Sequence, residues 1–139
     1  MSGLMSRNKG KDFERTIAKA FRMLYPTAKR TLTQQRDSGE APDVEIPDWW
    51  LECKAHKVVS IRKAFEQAVD EVTRANSRLK PAAVTKDNGK EVLVTIQLTT
   101  FLDLLKELEA SRADAKVVVF KEAPAKAEAA PADWQQLGA

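Results

Sequence analysis

The sequence predicts an α/β domain with a central mixed β-sheet flanked by α-helices, rather than a doubly wound parallel sheet. Three observations predict it. Apolar residues recur at helical spacing, then in strand-like alternation, then at helical spacing again, and the succession repeats along the chain. Two short turn signals, Pro47-Asp48 and Asn88-Gly89, each separate a pair of strand-like runs. The 139 residues suffice for one core and not comfortably for two, so all elements belong to one unit.

Taken in order, residues 1–9 are polar and basic and read as an N-terminal arm, with the domain proper over 10–120. Phe13, Ile17, Ala20, Phe21 and Leu24 then share one face of a helix, which stops before Pro26. Residues 27–40 carry no apolar period and are dense in Thr, Gln, Arg, Ser and Gly, so a strand fragment and a mobile loop around Gly39 are expected. Asp43-Val44-Glu45-Ile46 alternates, Pro47-Asp48 turns the chain, and residues 49–54 continue as a second strand.

Ser60 is placed to cap a helix with Ile61, Ala64, Phe65, Ala68, Val69 and Val72 on one stripe and Arg62, Lys63, Glu66, Asp70 and Arg74 opposite. Residues 81–86 and 91–98 flank Asp87-Asn88-Gly89-Lys90, a strong short-range signal for a hairpin. Thr99 or Thr100 caps a last helix holding Phe101, Leu104, Leu105 and Leu108, and Thr100-x-x-Asp103 fits a capping box with Asp in place of Glu. Residues 116–120 are expected as an edge strand. Residues 121–139, rich in Ala, Pro, Lys and Glu, are expected as a flexible tail.

Composition limits the function classes. A net charge of +3 and a pI near 9.0 suit a polyanionic partner without demanding one. The single Cys53 cannot form an intramolecular disulfide, no charged-then-apolar signal segment opens the chain, and no apolar run approaches membrane length. A soluble protein of the reducing cytoplasm is expected.

The chemistry-bearing pattern is Glu52-Cys53-Lys54. Residues two apart in a strand share a face, so Glu52 and Lys54 stand side by side. With Asp43 on the neighbouring strand, two carboxylates can converge on one Mg²⁺, or Mn²⁺, leaving positions for water and a phosphate oxygen. Such an ion polarises a phosphodiester and lowers the pKa of bound water, while Lys54 orients that water or stabilises the developing negative charge. Glu14, beside the apolar stripe of the first helix, can reach the ion directly or through water. The backbone carbonyl of Cys53 is a further ligand candidate, since a hard cation accepts carbonyl oxygen and disfavours the thiol.

Gly10-Lys11-Asp12-Phe13-Glu14-Arg15, then Pro42-Asp43, then Glu52-Cys53-Lys54 together resemble the PD-(D/E)XK nuclease superfamily. The pattern is most similar to archaeal-type Holliday junction resolvases, including versions found in phages, and covers residues 7–108. The resemblance implies a restriction-endonuclease-like fold, with Glu14, Asp43 and Glu52 as the metal-site carboxylates and Lys54 as the catalytic lysine. It also implies a homodimer acting on branched DNA, with two sites on symmetric strands of a four-way junction. The family's loop places a serine after its glycine, whereas Ser38 precedes Gly39 here and Glu40 follows it. Ser38 is therefore grouped with the DNA contacts, together with Arg36.

Other residues carry plainer readings beside functional ones. A lone Glu-x-Lys on a strand is more often an exposed ion pair. Glu45 shares a strand face with Asp43, and Pro42 favours the latter. His56, the only histidine, reads as a DNA contact. Arg7, Lys9, Lys11, Arg15, Lys29, Arg30 and Arg36 cluster in sequence around the site and are the expected phosphate contacts. Trp49 and Trp50 can stack on unpaired bases, but adjacent strand residues face opposite ways, so one belongs to the core. Gln67 is a polar helix residue or a site residue. Trp134 and Leu137 in the tail form a docking motif for a protein partner, or none. A junction resolvase, a less selective endonuclease for repair, replication or packaging, and a non-catalytic DNA-binding module all fit the pattern.

Overall fold

The computed structural model describes residues 2–32 and 41–118. Its elements run α1 (Ser2–Phe21), β1 (Lys29–Arg30), β2 (Val44–Ile46), β3 (Trp49–His56), α2 (Ile61–Arg74), β4 (Lys80–Asp87), β5 (Leu93–Thr95) and α3 (Leu98–Val118). The five strands form one mixed sheet in the order β1-β2-β3-β4-β5. Only β3 and β4 pair in parallel; α2 makes the crossover that such a pair requires, and the other neighbours are antiparallel.

Both turn signals form hairpins, for different reasons. Between β2 and β3 the non-glycine Asp48, after Pro47, adopts φ 69°, a left-handed conformation that Asp tolerates better than most residues. Between β4 and β5 the left-handed position falls to Gly89, also at φ 69°, which meets no steric penalty there.

The main core lies between α1 and the sheet. Phe13, Ile17 and Ala18 pack with Val44, Ile46, Leu51, Cys53, Ala82 and Val84. Strand alternation sends Leu51 and Cys53 into this core and turns Trp50, Glu52 and Lys54 toward α2. Helix α2 is capped by Ser60, whose hydroxyl accepts from the Lys63 amide, and its buried residues are the small Ala64 and Ala68.

Several expectations are corrected. The helix α1 begins at Ser2, so residues of the basic arm continue it without a break. Leu24 lies beyond the end of α1 and is exposed, while Ala18 takes its place in the core. Thr99 and Thr100 lie inside α3 rather than capping it, because the Phe101 amide already donates to the Gln97 carbonyl. The edge strand expected over 116–120 is absent where described: residues 116–118 are the last of α3, carried on by the strong helix formers before them. Phe101, Leu105 and Leu108 are exposed and Leu104 is half-buried, since α3 makes at most marginal contact with the sheet. Residues 119–139, with Trp134 and Leu137, and the loop at Gly39 lie outside the described residues. Among the described residues, no helix is long and apolar enough to cross a membrane.

Candidate active site

The hairpin of β2 and β3 positions the first two carboxylates. Their register pairs Val44 with Leu51, so Asp43 and Glu52 come next across the strands. Asp43 Oδ2 accepts from the Cys53 amide at 2.8 Å, which fixes its orientation, and both acids are buried. Two residues on, Lys54 Nζ lies 3.0 Å from Glu52 Oε1. The predicted side-by-side carboxylate and ammonium are therefore present.

The electrostatics follow from burial. Glu52 is pushed up to about 8 from an ordinary 4.5, first by burial and then by the nearby charge of Asp43, with Glu71 adding to both. The attraction of Lys54 opposes this and is outweighed. Burial pulls Lys54 down, but Glu52, Asp43 and Glu71 together hold it above its ordinary value. Asp43, Glu52 and Glu71 act on one another here, and a bound cation would relieve their mutual repulsion.

A cavity of about 450 Å³ gathers these groups. Asp43, Glu52 and Lys54 line it with Glu14 and Arg30, joined by Arg7, Lys11 and His56 at its rim. Glu14 is buried on α1, and its Oε2 accepts from Arg30 Nε at 2.5 Å. Arg30 Nη2 is buried and has no hydrogen-bond partner among the described residues.

Among the described residues, the predicted contacts Arg15, Lys29 and Lys9 do not line the cavity. Arg15 is paired with Asp12 at 2.8 Å on the exposed face of α1. Lys29 lies 3.5 Å from Glu45, which also draws the Thr31 hydroxyl, so Glu45 is occupied at the edge of the sheet. Lys9 Nζ donates to Asn88 Oδ1 in the β4–β5 turn. Arg36 and Ser38 lie outside the described residues. Trp50 is buried and unable to stack on a base, whereas Trp49 is half-buried beneath Lys80, whose Nζ lies 5.5 Å from the ring centroid.

Sequence reasoning missed Glu71. Its Oε2 accepts from the buried Trp50 Nε1 at 3.3 Å and its Oε1 from Gln67 Nε2 at 2.9 Å, which holds it against the cavity beside Glu52. The available signal was its position three residues after Ala68 and seven after Ala64, an acid within the buried stripe of α2.

The donor set fits a hard divalent cation. Asp43 and Glu52 offer carboxyl oxygen side by side, while the Cys53 side chain belongs to the core cluster beneath α1. Among the described residues, no three His, Cys, Asp or Glu side chains are grouped to hold one ion by themselves, so backbone oxygen and water would complete the shell. Searches against protein-family models, curated proteins and solved structures return no match to this chain.

Proposed function

We propose that this protein is a metal-dependent DNA endonuclease of restriction-endonuclease-like fold, and that its substrate is a four-way DNA junction nicked in pairs as a Holliday junction resolvase does. The observation that carries the reading is the convergence of Asp43, Glu52 and Lys54 in one cavity, from strands whose register brings them together. Asp43, Glu52 and the Cys53 carbonyl would hold Mg²⁺, with Mn²⁺ as a substitute. Glu14, whose Oε2 is engaged by Arg30, would act through the ion's water. When bound, the ion supplies a polarised phosphodiester and a water of lowered pKa.

The chain's own groups do the rest. Lys54 places an ammonium beside the reacting phosphate and stabilises the charge that develops on it. Arg30, on the cavity wall, holds Glu14 in place through its Nε. Arg7, Lys11 and His56 receive flanking phosphates, and selectivity arises from branch shape and phosphate spacing, since the sequence carries no base-reading recognition helix. A homodimer puts two such sites on a two-fold substrate. The one cysteine, buried as a thiol, supports action in the reducing cytoplasm.

Metal-dependent hydrolysis of labelled DNA by the native chain, and its loss in Asp43→Asn, tests the endonuclease reading. Cleavage that persists in EDTA sinks it. A second reading, a DNA-binding module without catalysis, draws on the lack of a three-donor cluster among the described residues. It predicts DNA binding with no Mg²⁺-dependent cleavage.

A further inference from the structure

Nothing in the fold itself calls for glycine at position 10. Helix α1 runs through Gly10 without a break and with no positive φ there. In a helix interior glycine is the costliest residue after proline, because its backbone loses the most freedom on folding. A Cβ at Gly10 would meet no atom of another part of the described chain within 4 Å, so close packing does not require its absence. Lys9, next to it, donates to Asn88 Oδ1 in the β4–β5 turn, which tethers this stretch of α1 to the sheet.

Gly10 does line the cavity of the candidate active site. Arg7, three residues before it, and Glu14, four residues after it, line the same cavity, as neighbours on one helix face do. Lys11 adds a second cation beside it. The missing side chain thus leaves bare helix on the cavity wall, flanked by two cations and on the side of the buried acids.

We propose that Gly10 is where the sugar–phosphate backbone of the bound DNA strand passes against α1, so close that a side chain would displace it. The inference rests on the nuclease reading and names the part of the substrate that the α1 wall receives. Arg7 and Lys11 supply the charge and Gly10 supplies the room, as glycine does wherever a ligand must approach a backbone closely. The helix stability lost to glycine is offset by the contact that the bound strand gains.

Gly10→Ala and Gly10→Leu test this against the native chain. In the free protein both should raise the thermal midpoint, Ala by about 3 °C, since a better helix former enters open space. Affinity for a labelled four-way junction, read by fluorescence anisotropy with Ca²⁺ as the hard cation in place of Mg²⁺, should move the other way. It should weaken ~3-fold for Ala and at least ~10-fold for Leu, in step with side-chain size. Gly3→Ala is the control, because Gly3 lies in the same helix with equally open surroundings and does not line the cavity, and its affinity should be native. Native affinity in Gly10→Leu overturns the inference and leaves the nuclease reading standing. Equal losses for Ala and Leu would make Gly10 a flexible joint, and a lowered midpoint in Gly10→Ala would make it a packing requirement; either overturns the inference. A native chain that binds no DNA overturns the nuclease reading and this inference with it.

Discussion

The Cys53 amide donates to Asp43 Oδ2 at 2.8 Å, and this bond sets the aspartate carboxylate across from Glu52 while the Cys53 side chain anchors β3 in the core. The backbone of the Glu-x-Lys strand thus orients the acid on its neighbour. Asp43→Asn keeps an acceptor for that amide and removes the charge. Initial cleavage rates should fall at least ~100-fold, while the thermal midpoint of the metal-free protein should hold or rise because the charge that pushes Glu52 up is gone. Full activity in this variant would reduce Asp43 to a structural acceptor.

Glu52 makes the metal-free protein less stable as pH rises. Its folded-state pKa of about 8 stands above the ordinary 4.5, so between these values the folded chain holds a proton that the unfolded chain has released, and stability falls with pH across that window. Lys54, also raised, retains its contribution until well above this window. Thermal unfolding in EDTA should show the decline from pH 5 to pH 8, of order a few kcal/mol. Glu52→Gln should flatten it, and Mg²⁺ should reverse it at pH 8 by binding the folded state. A pH-independent midpoint in EDTA would contradict the assignment.

The ion pair between Arg30 and Glu14 is mostly buried, with the two side chains 19 % and 6 % exposed. Arg30→Ala takes the Nε donor from the buried Glu14 carboxylate, and urea denaturation should show a loss of about 3 kcal/mol. Adding Glu14→Gln should recover part of that loss. Equal losses for the single and double variants would mean that Arg30 stabilises the fold by packing alone.

Glu71 ties α2 to the buried indole of Trp50 and stands in the field of Glu52. Glu71→Ala removes the acceptor for a buried N–H, and should destabilise the chain by about 1–3 kcal/mol. Trp50 emission should shift as its partner is lost. Glu71→Gln keeps an acceptor and should keep most of the stability, which separates the hydrogen bond from the charge.

Legibility in the sequence tracked how local the signal was. Pro47-Asp48 and Asn88-Gly89 placed both hairpins, because turn chemistry is set by neighbouring dihedrals. The shared face of Glu52 and Lys54 followed from strand period alone, and the facing position of Asp43 followed from the short turn. Less legible was anything that needed a partner element. The stripe of α3 looked like core, since Phe101, Leu105 and Leu108 have helical spacing, but spacing does not say what lies opposite. Glu71 was hidden for the same reason: its place in the buried stripe of α2 acquires meaning only once Trp50 and Glu52 are seen beside it. Among the cations, sequence proximity did not distinguish Arg30, turned toward Glu14, from Arg15 and Lys29, which pair on the surface.

The most direct test is cleavage of a synthetic four-way junction beside linear duplex, flap and single-stranded controls, each with Mg²⁺ or EDTA and with Asp43→Asn in parallel. Symmetric paired nicks in the junction alone, abolished by EDTA and by the substitution, are the predicted result. Equal cutting of the controls would contradict junction selectivity, and no cutting of any substrate would contradict the endonuclease itself.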